Sequence, residues 1–314
     1  MTGYLLRRLP SALLVLVLAS FAIFAILRLI PGDPATTLAG SDPSPDTIAA
    51  IRVDLGLDRP FLAQYFSWIG DLLSGDPGRS YLIGGQITDL IGDRFGNTLA
   101  LAVGALVLML VLGPILGVLG ATARGRIPRA LLGAVNSVSL TVPVFVTGVL
   151  LVLLFAVTWR LLPPGGHESI VADPVIGLQY LVLPALCLAL PGSAVIARYI
   201  KDGVLQALGE DYVRTARSLG VSHRRILWRH ALPNALPPVL TVLGMQVGAL
   251  LGGAVVVEAL FAWPGLGQLA EQGVARRDYP VVQTLLLLLV GVYVLVQLLT
   301  DIAYALLDPR VRLG

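Results

Sequence analysis

Six long apolar segments, near residues 9–30, 99–121, 134–159, 179–199, 237–260 and 281–307, constrain this chain more than any other feature. Each has about 20 residues or more, enough at ~1.5 Å per residue to cross a ~30 Å hydrocarbon core. Lipid cannot satisfy the backbone of isolated strands, so the segments predict helices. Only 13% of residues are charged and 56% are hydrophobic. A soluble domain carries about a quarter charged residues, so the expectation is an all-α polytopic membrane protein with six spans. The first segment follows Arg7-Arg8 and outruns the ~7–15-residue core of a signal peptide. It reads as an uncleaved first span that stops at Pro31-Gly32-Asp33-Pro34.

Basic residues set the orientation. With the N-terminus inside, Arg7, Arg8, Arg124, Arg126, Arg129, Arg198, Lys201, the five arginines of 211–233, Arg310 and Arg312 lie on the cytoplasmic side. That is fourteen against eight, and four of the eight lie in one long outer loop whose charge carries little weight. Both termini are expected in the cytoplasm. The net charge of +3 is spread over these loops and implies no nucleic acid. The chain divides into a first span (1–30), an extracytoplasmic loop subdomain (31–97) and a five-helix core (98–314) with a cytoplasmic loop at 201–235.

The long outer loop carries its own helical signals. Ser44-Pro45 supplies a cap and a first-turn proline before Ile48, Ile51 and Leu55. After Pro60, Leu62, Tyr65, Phe66, Ile69, Leu72 and Leu73 form a second apolar stripe, and Gly75-Asp76-Pro77-Gly78 is a turn. Two short helices on the membrane face and a small docking subdomain both fit. Pro143, Pro184 and Pro191 interrupt the third and fourth spans, and Trp159 and Trp263 fall where interfacial aromatics belong. Gly244, Gly248 and Gly252, four apart, suit close helix packing.

Several chemistries are absent. Lys201 is the one lysine and Asp202 follows it, so no Gly-Lys-Ser/Thr phosphate loop exists. His167, His223 and His230 form no zinc motif, no nucleophile elbow occurs, and Cys187 stands alone in an apolar run. No metal site and no catalytic residue are expected. Glu258 and Asp301, near span ends, are either interfacial or functional.

The segment 211–233 then stands out as charged and helix-forming. Tyr212, Thr215, Ala216 and Leu219 share one helical face, with Asp211 as N-cap and Gly220 as the stop. Ser222 caps a second short helix through Arg225, Ile226, Arg229 and His230, ending at Leu232-Pro233. The pair makes a basic, partly apolar knob, suited to anionic lipid or to a groove in a partner protein.

The knob resembles the cytoplasmic signature of ATP-binding-cassette (ABC) importer permeases, Glu-Ala-Ala-x3-Gly-x9-Ile-x-Leu-Pro, with Ala216, Gly220, Leu232 and Pro233 in register. Arg214, Thr215 and His230 depart from it and match the dipeptide/oligopeptide/nickel branch instead. The branch resemblance includes Leu6-Arg7-Arg8-Leu9, Arg28-Leu29-Ile30-Pro31-Gly32-Asp33-Pro34 and Gly96-Asn97-Thr98-Leu99. It continues through 258–267, Arg277-Asp278-Tyr279-Pro280-Val281-Val282-Gln283 and 304–310. The long first outer loop is similar to that of the B-type subunit.

The resemblance implies a type I importer permease fold in the bacterial inner membrane. It implies a C-type permease partner, two ATP-binding cassette domains that bind ATP and Mg, and an extracytoplasmic solute-binding protein; this chain itself would hold no cofactor. ATPase coupling would fall to Asp211, Tyr212, Arg214, Thr215, Ala216, Arg217, Leu219 and Gly220. Asp76, Pro77, Gly78, Arg79 and Ser80 would meet the binding protein, and Glu258 is a passage or gate candidate. A membrane enzyme lacks its catalytic groups here, and an ion-coupled transporter would have only Glu258 and Asp301 to work with.

Overall fold

The computed structural model describes residues 2–30, 34–39 and 44–307. Residues 31–33 of the expected stop, the side chain of Asp301, and Arg310 and Arg312 of the tail lie outside the described residues. Thirteen α-helices account for nearly all of what is described, with one isolated bridge, Arg79 to Gln86. Five helical stretches are long and apolar enough to span a membrane, and a bent helix pair makes a sixth candidate. The all-helical, multi-span expectation therefore holds. Backbone contacts divide the chain into two units: Met1–Thr98 with Pro264–Leu295, and Leu99–Trp263 with Val296–Gly314.

In the first unit, α1 (Thr2–Leu29) is followed by α2 (Pro34–Ala39), α3 (Pro45–Asp54) and α4 (Phe61–Leu73). Ser44 caps α3 as expected, its Oγ accepting from Thr47 N at 3.2 Å. The packed edge of α4 differs from the expected stripe. Phe61, Tyr65 and Trp68 meet Phe21 and Phe24 of α1, with Phe24 and Phe61 centroids 5.1 Å apart. Leu62, Phe66 and Leu73 remain exposed. Aromatic pairs bury more area per contact than the leucines would, and Ser20 Oγ adds a 2.9 Å hydrogen bond to Tyr65 Oη.

In the second unit, the core is built on α8 (Pro174–Gly209), whose buried residues run from Gly177 to Ala207. It packs against α6 (Arg126–Thr141), α7 (Val144–Leu151) and α11 (Leu232–Leu260). Within lipid, close contact between helices depends on van der Waals fit more than on water exclusion, so small residues decide where backbones approach. On α5 (Ile87–Thr122), a β-carbon at Gly117 would lie 2.8 Å from the Ala197 carbonyl of α8. The glycine stripe expected on α11 is used only in part. Gly244 abuts Thr300 of α13 (Tyr279–Leu307), whereas a β-carbon at Gly252 would meet nothing within 4 Å.

The prolines act unequally. The third apolar segment is two helices bent by 118° at Pro143 and completed by a π-helical stretch, Val152–Thr158. Pro184 and Pro191 sit inside the continuous α8. Pro233, expected to end a short helix, also lies within one. The chain runs from α10 (His223–Ile226) through a π turn, Leu227–Ala231, into α11. Proline leaves a carbonyl one turn back without its usual donor, and a widened turn absorbs that loss.

Candidate functional site

The expected coupling segment is α9 (Asp211–Ser218) and the elbow behind it. Its N-cap is Glu210 rather than Asp211, with no side-chain cap bond. Asp211 instead reaches Arg214, Oδ1 to Nη1 at 3.2 Å, on a fully solvated face. Gly220 does end the helix. At φ +77° it closes a Schellman turn, with Val221 N to Ala216 O and Gly220 N to Arg217 O both at 3.0 Å. Ser222 starts the next helix without lending its hydroxyl as a cap.

One residue anchors α9: Val213 is fully buried. The face expected from the spacing is turned outward. Tyr212 is 41% exposed and Leu219 77%, and Thr215, Arg214 and Arg217 are exposed beside them, with Ala216 half-buried. A second anchor was invisible in the spacing. Asn234 of α11 donates through Nδ2 to the Tyr212 hydroxyl at 3.2 Å and to the His230 carbonyl at 2.8 Å. The second bond satisfies a carbonyl of the π turn. The result is an exposed apolar strip, rimmed by arginine, on a helix anchored near its start at Tyr212 and Val213.

At the other end of α11, Glu258 is fully buried. The helix closes on Ala262, which adopts φ +50° while Trp263 N donates to the Glu258 carbonyl at 2.9 Å. A left-handed alanine costs about 1 kcal/mol or more and persists only where packing imposes it. Trp263, expected at an interface, is fully buried and meets His167 in a T-shaped contact with 4.7 Å between ring centroids. Gly166 N donates to the Phe261 carbonyl at 2.7 Å, and a β-carbon at Gly165 would sit 2.6 Å from that oxygen. Burial holds the His167 imidazole below its ordinary 6.5, against an upward pull from Glu168.

The expected docking stretch lies in the first unit. Asp76 and Arg79 are exposed and Pro77 and Gly78 half-buried; Asp76 Oδ1 accepts from Gly78 N at 2.9 Å. Ser80 is buried and turned inward, donating to Asp278 Oδ2 at 2.5 Å. Asp278, fully buried between α12 (Leu266–Arg276) and α13, also accepts from Leu82 N at 2.8 Å, Ile83 N at 3.1 Å and Tyr81 N at 3.2 Å. One carboxylate thus gathers a ring of donors and shapes residues 80–84. Burial raises the Tyr81 phenol, with Arg28 pulling it down and Asp278 pushing it up. Residues 76–79 also line a cavity of about 330 Å³ with Arg28, Gln64, Trp68 and Tyr279. Gln64 Oε1, Trp68 Nε1 and Tyr279 Oη are buried there without partners.

Residues 113–313 match the family described as "Binding-protein-dependent transport system inner membrane component", and residues 1–102 match its N-terminal family. The chain belongs to this family. A probable peptide ABC transporter permease of Sinorhizobium fredii is 40% identical over 309 residues, 98% of this chain and 99% of its own. A glutathione transport system permease of Escherichia coli is 36% identical over 312 residues, covering 99% of each chain. Among solved structures, an inward-facing MetNI methionine ABC transporter aligns with TM-score 0.58 and 21% identity, over 70% of this chain and 96% of that one. An amino acid ABC transporter aligns at 0.51 and 20%, over 71% and 94%. The permease fold that the resemblance implied is that of these structures, and the chain is a multi-pass transport subunit of an ABC importer.

Proposed function

We propose that this permease forms half of a translocation pathway for peptides or a related solute, such as a nickel chelate or haem, in the bacterial inner membrane. It pairs with a C-type permease, and two ATP-binding cassette domains supply ATP hydrolysis. An extracytoplasmic solute-binding protein delivers the cargo. The observation that carries this reading is the outward face of α9. Tyr212, Thr215 and Leu219 form an apolar strip that the chain leaves uncovered, rimmed by Arg214 and Arg217 and fixed by Val213 and Asn234. Such a surface suits a partner's groove, where closure on nucleotide pushes one rigid knob. Relatives named for peptide and glutathione transport support a peptide-like cargo.

Gly220→Pro tests the coupling role, because a ring-locked φ near about −65° cannot adopt the left-handed elbow. The complex is expected to assemble, while substrate-stimulated ATP hydrolysis and uptake fall together. Normal uptake by this variant would sink the assignment. Uptake should also stop with vanadate and survive a protonophore. Asp76, Pro77, Gly78, Arg79 and Ser80 are read as a contact for the binding protein, with Ser80 shaping the loop from beneath; crosslinks that never reach 76–79 would remove that contact. Glu258 is read as a gate residue, and unchanged uptake kinetics in Glu258→Gln would dismiss it.

A further inference from the structure

A second cavity, of about 340 Å³, lies between α5, α6 and α8. Helix α6 lines it with Arg129, Gly133, Asn136 and Leu140, a stripe at three- and four-residue spacing. From α8 come Arg198, Lys201 and Asp202. The Lys201 stem runs along α5, its Cδ 3.3 Å from where a β-carbon on Gly120 would stand. Arg129 Nη2 is held near the Ala123 carbonyl at 3.5 Å. The one carboxylate is 3.9 Å from Arg198 Nε, so it offsets one of three cations. The chain's only lysine therefore faces this hollow with no ion pair among the described residues. Asn136 Oδ1 is buried there without a partner, and the amide can turn over to present its donors.

The hollow is not purely cationic, because Leu116 of α5 and Leu132 and Leu140 of α6 line it too. Cations and apolar side chains in one hollow, in a helix bundle that spans a membrane, match an amphiphile better than a soluble anion. A soluble anion would use the three cations and leave Leu116, Leu132 and Leu140 without a role. We propose that this cavity binds the phosphate-bearing headgroup of an anionic phospholipid, with Arg129, Arg198 and Lys201 around the phosphate and an acyl chain along α6. The ammonium acts as a compact charge at the centre, and the guanidiniums supply directed donors at the sides.

The test uses the full chain, stripped of lipid in detergent and re-exposed to phosphatidylglycerol or phosphatidylcholine micelles. Bound lipid is then counted by native mass spectrometry. Wild type is expected to retain phosphatidylglycerol in preference to phosphatidylcholine. Lys201→Gln and Arg129→Gln should each lower its retention about fivefold, the effect of one cation near a charged headgroup. Lys201→Arg should keep it, which separates lost charge from lost fold. Arg59→Gln removes the same charge from the first unit and should change nothing. Equal retention by wild type and by the Arg129/Lys201 double variant overturns the proposal. So does displacement of the lipid by inorganic phosphate at equal concentration, which would make the hollow a free-anion site. Displacement by a dipeptide would instead place it on the transport route, and equally overturns the lipid assignment. No transport is read, so failure here leaves the importer reading standing.

Discussion

Replacing Asp278 with alanine removes the acceptor around which residues 80–84 are arranged. Four donors converge on its carboxylate: the Ser80 hydroxyl at 2.5 Å and the backbone N–H groups of Leu82, Ile83 and Tyr81 at 2.8, 3.1 and 3.2 Å. Hydrogen bonds to a charged acceptor contribute about 1.5–3 kcal/mol each. The backbone donors are only part-buried and recover some water when released, so the two shortest bonds set the scale, about 3–5 kcal/mol for the loop. Hydrogen exchange across residues 80–86 reads that opening directly, and it should speed up a hundredfold or more. Ser80→Ala loses the same 2.5 Å bond together with the Ser80 bonds from Ile83 N and Gly84 N at 2.9 and 2.8 Å. The two substitutions share a network, so the double variant should be clearly less damaged than the two single effects added together. Asp278→Asn can turn its one carbonyl oxygen to the Oδ2 position and keep the Ser80, Leu82 and Ile83 bonds without the charge, so its exchange should fall between wild type and alanine. Unchanged exchange in Asp278→Ala, or faster exchange in Asp278→Asn than in Asp278→Ala, would refute the ring of donors as the loop's organiser.

Gly165→Ala places a methyl group 2.6 Å from the Phe261 carbonyl, a backbone atom that cannot step aside. Overpacking of this kind costs about 1–3 kcal/mol, and a lowered thermal midpoint should report it. His167 titrates with a defined sign. Burial keeps its folded pKa below the ordinary 6.5, so the unfolded chain binds more protons. Stability should therefore be intact above that value and decline as pH falls toward the depressed one. His167→Gln should flatten the slope of the thermal midpoint between pH 7.5 and 5.5, and an identical slope in both proteins would contradict the burial argument.

The spans were legible because each apolar run outlasts a bilayer thickness, and no soluble alternative tolerates so little charge. The Ser44 cap and the Gly220 stop were legible because single residue types satisfy those backbone geometries. What proline does was not. Pro143 bends the chain by 118°, while Pro184, Pro191 and Pro233 ride inside helices. The outcome depends on what packs around the freed carbonyl, which the spacing of residues near the proline does not reveal. The pairing of Ser80 with Asp278 crosses 198 positions, beyond any local pattern. Helix α12 gave too short a stripe to separate from a loop. Trp263 and Glu258 looked interfacial because both lie near the end of a span, yet both are fully buried on either side of the turn at Ala262.

The absence of a break at Pro233 makes His223–Leu260 one continuous helical stretch of 38 residues. At ~1.5 Å per residue it is about 57 Å long, so a tilt of about 5° moves one end about 5 Å when the other is held. The Tyr212 mount hangs from one end through Asn234, and Glu258 and the Ala262 turn occupy the other. If the stretch moves as one body, linkage would run both ways along it. A molecule that preferred one position of the Ala262 end would change the affinity of a partner at the proposed α9 contact, and would itself be held more or less tightly by the same factor.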